Sequence, residues 1–520
     1  MSHPAGIASR RAAVRRRGPG LWLALLLFAA AATVVAAPAD AKSGAQNELK
    51  RDFQKTVTLT GNQGVSLDHR FGQVRIHGVA GHEVNISATI RVQDSNANDA
   101  QEYLQKIQIE VREEGDGVHI RTIYPENKFP HLRIGGRTSF SVDYDIAMPG
   151  DAPLWLRNAF GNAEISGIRG WAQIENGNGA LTVRDAGGAK LVNSFGRIEL
   201  TNASGNCTVT NNNGAVEVTS VKGTLEVRNR FGDIIAAQIG GAANLSGGNG
   251  RVSLTQAGGP SSVSTSFGEV TVRNVNGNLS VADNNGRVDV ADINGDASIT
   301  TSFGNVDAAR IGGAVSVNNN NGAVQISEAH GVATINTSFG TVKASHLYKG
   351  ANVVTGNGAI ELNTVQGDVY AKTSFGSIYV ENIKGKFTGQ DSNGSVTGKA
   401  IEGDASVTTS FAGVSLEGVS GKISVQNQNG AVDVTTSGSV CRDITIRTSF
   451  SHIGLAIPAG ASYHLKAKTS FGHINSQLPI TTSGSFGADS LEGTIGNGGS
   501  GGCNVELTNS NGNIDISKAG

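Results

Sequence analysis

Residues 266–283 read Ser266-Phe267-Gly268-Glu269-Val270-Thr271-Val272-Arg273-Asn274-Val275-Asn276-Gly277-Asn278-Leu279-Ser280-Val281-Ala282-Asp283, and Asn284-Asn285-Gly286-Arg287-Val288-Asp289-Val290-Ala291-Asp292-Ile293 follows directly. The second stretch restarts the first. Counting slots from Ser266, apolar residues fall at the fifth, seventh, tenth, fourteenth and sixteenth, and the next unit repeats them as Val288, Val290, Ile293, Ala297 and Ile299. Steps of two within each cluster are the strand period, in which alternate side chains face inward. Val and Ile suit a pleated, half-buried surface. Glycine at the third slot and at the twelfth (Gly277, Gly295, Gly313, Gly331) predicts two bends with positive φ.

The unit extends far in both directions. Phe-Gly or a close relative occurs at Phe160, Phe195, Phe231, Phe267, Phe303, Phe339, Phe375 and Phe411, and Asn-Gly lies 18 residues after each, up to Asn429. An 18-residue unit cannot bury its own apolar edge, whereas stacked copies can. The expected fold is therefore all-β: a single-stranded parallel β-helix, or β-solenoid, of 18-residue coils about 4.8 Å apart. Right-handed coiling is expected, because parallel crossovers favour that hand. About 18 coils from Phe160 to Phe471 predict a length of roughly 85 Å. Insertion-free steps of 36 argue against an antiparallel sandwich, and an 18-residue half-repeat does not fit a propeller blade.

The flanks differ. Arg10, Arg11 and Arg15 to Arg17, an apolar run from Leu21 to Ala37, and Ala39-Asp40-Ala41 read as a cleaved signal peptide over 1–41. Residues 42–155 are expected to form an N-terminal β-rich cap region with one short helix near Asp99 to Ile107. The repeats occupy 156–480, and 481–520 hold a glycine-rich loop and C-terminal cap strands. The sequence has 71 Gly but only 10 Pro, and 38% hydrophobic residues, which suits a thin aliphatic core rather than collagen or disorder. Lys and Arg total 42 against 43 Asp and Glu, so no basic field for nucleic acid exists. The three cysteines, Cys207, Cys441 and Cys503, read by default as buried small hydrophobes, with a Cys441–Cys503 bridge open to an oxidising compartment.

The segments Phe71-Gly72-Gln73-Val74-Arg75-Ile76 and Val142-Asp143-Tyr144-Asp145-Ile146-Ala147-Met148-Pro149, the Gly-x-Val/Ile-x-Val coils and the closing Ser510-Asn511-Gly512-Asn513-Ile514-Asp515-Ile516 resemble the bacterial putative-adhesin domain family. The resemblance covers nearly all the mature chain. It implies an exported β-solenoid domain of unknown function and brings no catalytic residues.

The candidate binding feature is the second-slot row Phe195, Phe231, Phe267, Phe303, Phe339 and Phe375, with rings about 9.6 Å apart on one corner. Large apolar side chains usually go inside, so each Phe is expected to close the core at a bend. The alternative is an exposed row on which sugar rings or a partner's apolar surface stack. Asparagines at slots one and two could form ladders along the stack, though turn chemistry explains Asn-Gly more simply. Gly498-Gly499-Ser500-Gly501-Gly502 matches a nucleophile elbow only through glycine content, and the 11 histidines form no zinc-type pair. No catalytic, metal or cofactor residues are assigned. The leading expectation is a non-catalytic exported adhesin in the periplasm, cell envelope or outside the cell. It would present a rigid lateral surface to a glycan or a surface protein, with no membrane span after cleavage. The alternatives are a scaffold that self-associates through its coils, and a polysaccharide-active enzyme.

Overall fold

A computed structural model describes residues 47–125, 138–458, 460–496 and 502–519. The signal-peptide reading of 1–41 and the loop at 497–501 lie outside the described residues. Over the described residues the chain is a β-solenoid whose turns each supply two strands, one to each of two facing sheets that are parallel except at their ends. Slots 5 to 10 give one strand and slots 14 to 2 of the next unit give the other, as in Val270–Val275 and Leu279–Asn285. Seventeen successive turns run from Leu154–Phe160 to Ile453–Ile457.

The register is that of identical coils piled in line. Val270 pairs with Val288 and Val288 with Val306, while across the core Val263 pairs with Val281 and Val281 with Ile299. All six are buried, because the pleat sends alternate residues into the narrow space between the sheets. The apolar step from slot seven to slot ten breaks strict alternation. Its cause is slot nine, where Asn274, Asp292, Arg310 and Glu328 hold φ between 52° and 65°. One left-handed residue rotates the chain, and Val275, Ile293, Ile311 and Ala329 turn inward. The positive φ expected at both glycine slots holds in part: at the twelfth slot Gly295, Gly313 and Gly331 lack it. Gly268 and Gly277 have positive φ, but Gly295 is needed for closeness instead: a methyl there would lie 2.3 Å from Asn278 Oδ1.

Both ends are woven into the stack out of sequence order. Gly64–Phe71 and Val74–Val79 form a coil beneath Leu154–Phe160 and Ala163–Ser166. Between them the chain departs through Glu83–Asp94, antiparallel to Asn47–Thr58 and to Ser139–Pro149. The expected helix runs Ala97–Lys106, capped by Asn96 and burying Ala100 and Leu104. At the other end Cys503–Asn511 and Ile514–Lys518 slot in above Ile444–Phe450 and Ile453–Ile457, and Tyr463–Lys468 follows as the next level. Ser490–Ile495 then adds antiparallel to Tyr463–Lys468, and Ile480–Phe486, antiparallel to it in turn, forms the last strand of that sheet. Cys441 and Cys503 are disulfide-bonded, with Cα atoms 5.8 Å apart, in place of the expected buried thiols; Cys207 is buried as expected.

Candidate functional site

The second-slot phenylalanines point outward. Phe267, Phe303 and Phe339 are 57%, 57% and 53% exposed, and Phe195, Phe231 and Phe375 are exposed with them. The expectation that each ring closes the core is therefore wrong, and the interior explains why. In the strand Val315–Asn321 the inward residues are Val315, Val317 and Asn319, so the eighteenth slot already fills the corner. Asn319 Nδ2 donates to Gly304 O at 3.0 Å and to Gly322 O at 3.1 Å. Asn211 and Asn229 repeat the arrangement on the third-slot carbonyls of their own and the preceding coil. These carbonyls face the thin core, and a buried acceptor without a donor costs about 1–3 kcal/mol. A ring cannot share that space. Phe387, a fully buried phenylalanine at slot fourteen, fits only because Gly389 stands two residues on, where a methyl would meet the ring at 2.8 Å.

The chain therefore leaves the core at slot one, sets Phe or Asn outside, and returns through third-slot glycine. In the central coils that glycine leaves no room for a side chain: a methyl on Gly268 would lie 2.0 Å from Gly250 O, and one on Gly340 2.0 Å from Gly322 O, while Ala412 and Ser451 take the slot near the C-terminal end of the stack. Phe267 pairs with Asn285 and Asn285 with Phe303, so Phe and Asn alternate up the corner with rings about 9.6 Å apart. The buried asparagine ladder sits at slot eighteen, not at slots one and two as considered from the sequence.

The row is also longer than the sequence spacing indicates. Phe450 and Phe471, 21 residues apart in the chain, both flank Asn511 of the threaded coil, which restores the Phe–Asn–Phe alternation. At the opposite end Phe71 stacks on Phe160 with centroids 5.3 Å apart. Trp155 and Trp171, half exposed at that end, escaped the sequence reading because each occurs once and follows no period.

Two other clusters bring titratable side chains together. Glu114, Asp116 and His119 meet on a hairpin turn, where His119 Nε2 and Asp116 Oδ1 are 2.9 Å apart and exposed to water. His69, buried in the first coil at slot eighteen, faces Thr122 Oγ1 at 3.1 Å, and Thr122 bonds Tyr144 OH at 2.7 Å. Burial holds the His69 imidazole down at about 4, so it is neutral at physiological pH. No helix among the described residues is long and apolar enough to cross a membrane.

No protein-family model matches the chain, and no curated protein does. Among solved structures, a putative cell adhesion protein from Clostridium sporogenes aligns over 91% of this chain and 100% of its own, at 8% identity and a TM-score of 0.14. At that score the alignment carries no argument. The family resemblance noted from sequence motifs is thus without a matching family model, and the β-solenoid architecture is what the structure shows.

Proposed function

We propose that the chain is an exported, non-catalytic adhesin-type module that binds its partner along the phenylalanine corner. One observation carries the reading: large apolar rings, which normally go inside, stand in a regular exposed row on a scaffold that holds them at fixed spacing. Ladder bonds above and below each ring's backbone fix that spacing in advance, so little ordering cost falls on association. The Cys441–Cys503 bridge fits an oxidising, extracytoplasmic setting. Against the scaffold alternative, antiparallel strands such as Ser490–Ile495 and Asn47–Thr58 interrupt the parallel pattern that end-to-end addition would continue.

The test compares the chain with its Phe267→Ala, Phe303→Ala, Phe339→Ala variant. Both are applied to an array of immobilised glycans and to intact bacterial cells, and soluble products of any retained polysaccharide are assayed. The reading expects retention without turnover, lost in the variant while its circular dichroism is unchanged. Equal retention of both proteins would overturn the ridge, and released oligosaccharide would overturn the non-catalytic assignment.

A further inference from the structure

We infer that the ligand of this corner is an uncharged, hydroxyl-rich linear polymer, a neutral polysaccharide, lying along the stack on the sheet face beside the phenylalanines; the inference rests on the binding role proposed above. The two faces of the solenoid differ in kind. Seven consecutive strands of one sheet, from Ala243–Asn249 to Gly350–Thr355, contain no Lys, Arg or Glu, and their single Asp, Asp283, is buried. Their outward positions are Ser, Thr and Asn almost throughout, as in Ser298 and Thr300, Ser316 and Asn318, Thr334 and Asn336. Over the same levels the opposite sheet carries Arg273, Asp289, Asp292, Asp307, Arg310 and Lys343, with ion pairs such as Arg273–Asp289 and Arg310–Asp292.

The uncharged face spans roughly 29 Å at the strand spacing, and the exposed Phe267, Phe303 and Phe339 run along its edge. Three of its coils line a shallow depression that includes Thr300, Ser302, Asn318, Asn320, Asn336 and Ser338. Among these outward groups one side-chain bond is made, from Asn336 Nδ2 to Asn318 Oδ1 at 3.2 Å. The other hydroxyls and amides are left to water or to a ligand.

Each class of partner asks something different of such a surface. Nucleic acids and acidic polysaccharides need Lys or Arg, which these strands lack. A protein interface draws its core from aromatic residues, Met and Arg, and is depleted in Ser; here the aromatic residues are confined to one edge and the field is Ser, Thr and Asn. Sugar hydroxyls match neutral donors and acceptors, and the apolar faces of sugar rings stack on aromatic rings. A surface that repeats itself coil after coil also suits a polymer that repeats along its length. Weak contacts at successive levels then add by effective concentration rather than by one deep pocket.

Affinity electrophoresis of the full chain in gels containing a neutral polysaccharide (dextran, amylose or a β-glucan) or an acidic one (alginate) tests the inference. One neutral polymer is expected to retard the chain, with a dissociation constant about tenfold weaker for Asn318→Asp, Asn336→Asp and for Phe303→Ala, Phe339→Ala. Gln325→Lys, on the charged sheet, leaves binding unchanged. Retardation by alginate alone, or concentration-dependent dimerisation abolished by the Asn variants, overturns the neutral-polymer assignment. Binding that needs Phe303 and Phe339 but ignores Asn318 and Asn336 also overturns it while leaving the proposed function intact. Binding indifferent to all four removes both.

Discussion

At the scale of single residues, slot eighteen fills the corner of the core, and where it is an asparagine such as Asn211, Asn229 or Asn319 its amide donates to two glycine carbonyls. Asn319→Ala removes the donor from Gly304 O and Gly322 O and is expected to cost about 2 kcal/mol, read as faster amide exchange in the adjoining coils. Asp283 poses the complementary case. A methyl on Gly286 would lie 2.8 Å from Asp283 Oδ2, as one on Gly430 would lie 2.9 Å from Asn427 Nδ2, so an acceptor stands where the ladder uses a donor. Burial pushes this carboxyl up to about 6, and Asp391 is raised for the same reason. A raised folded value means the acid form is favoured in the folded chain. Its stabilisation is complete below the ordinary carboxylate range and lost as pH rises through about 6. Asp283→Asn is expected to stabilise the chain above pH 6 by about 1–2 kcal/mol after discounting for solvent screening, and to flatten that part of the pH profile. A thermal melt series from pH 5 to 8 checks this; a variant that melts with the wild-type profile contradicts it. His69 works in the opposite direction. Its lowered value means stability is full above its ordinary range near 6.5 and falls as pH drops toward 4.

Single coils owe their shape to two special backbone positions, and only one announces itself in the sequence. The third-slot glycine column reads directly from the Phe-Gly and Asn-Gly pairs. Gly304→Ala would put a methyl 1.7 Å from Gly286 O, so it should cost more than the ~1–3 kcal/mol of an overpacked side chain, since backbone must move. Gly115→Ala, with nothing within 4 Å, serves as the neutral control in the same melts. The ninth slot is silent by comparison. Asn, Asp, Arg, Gln, Thr and Ala all occupy it, because the requirement is a backbone angle and not a side chain. Thr364 holds φ 58° with a β-branched side chain, and Thr364→Asn is expected to stabilise its coil by about 1 kcal/mol, measured by hydrogen exchange across Ile360–Val365. The inward aliphatic set was legible because it repeats every 18 residues. The outward Phe was not, because alternation from slots fourteen, sixteen and eighteen points slot two inward, and the chain turns at slot one.

Across the whole stack, order in space departs from order in sequence only at the ends, and those departures were the least legible feature. Asn511-Gly512 carries the Asn-Gly mark of the repeat, yet nothing in its position along the chain says that it lies between Phe450 and Phe471. The Cys441–Cys503 bridge closes a loop with a sequence separation of 62 and ties that coil in place. Chain entropy alone assigns such a loop about 4 kcal/mol. Reduction should therefore loosen Cys503–Asn511 and Ile514–Lys518 first, and a stack held by nearest-neighbour contacts should keep its middle coils protected. Spin labels on Phe→Cys variants address the central claim, that equal turns are stacked in register with the second slot facing outward. For pairs at positions 231 and 339, 231 and 411, and 231 and 450, distances of about 29, 48 and 58 Å are expected, rising by one strand spacing per coil, with labels mobile at every site. Distances that fail to grow with coil number, or labels immobilised in the core, would contradict it.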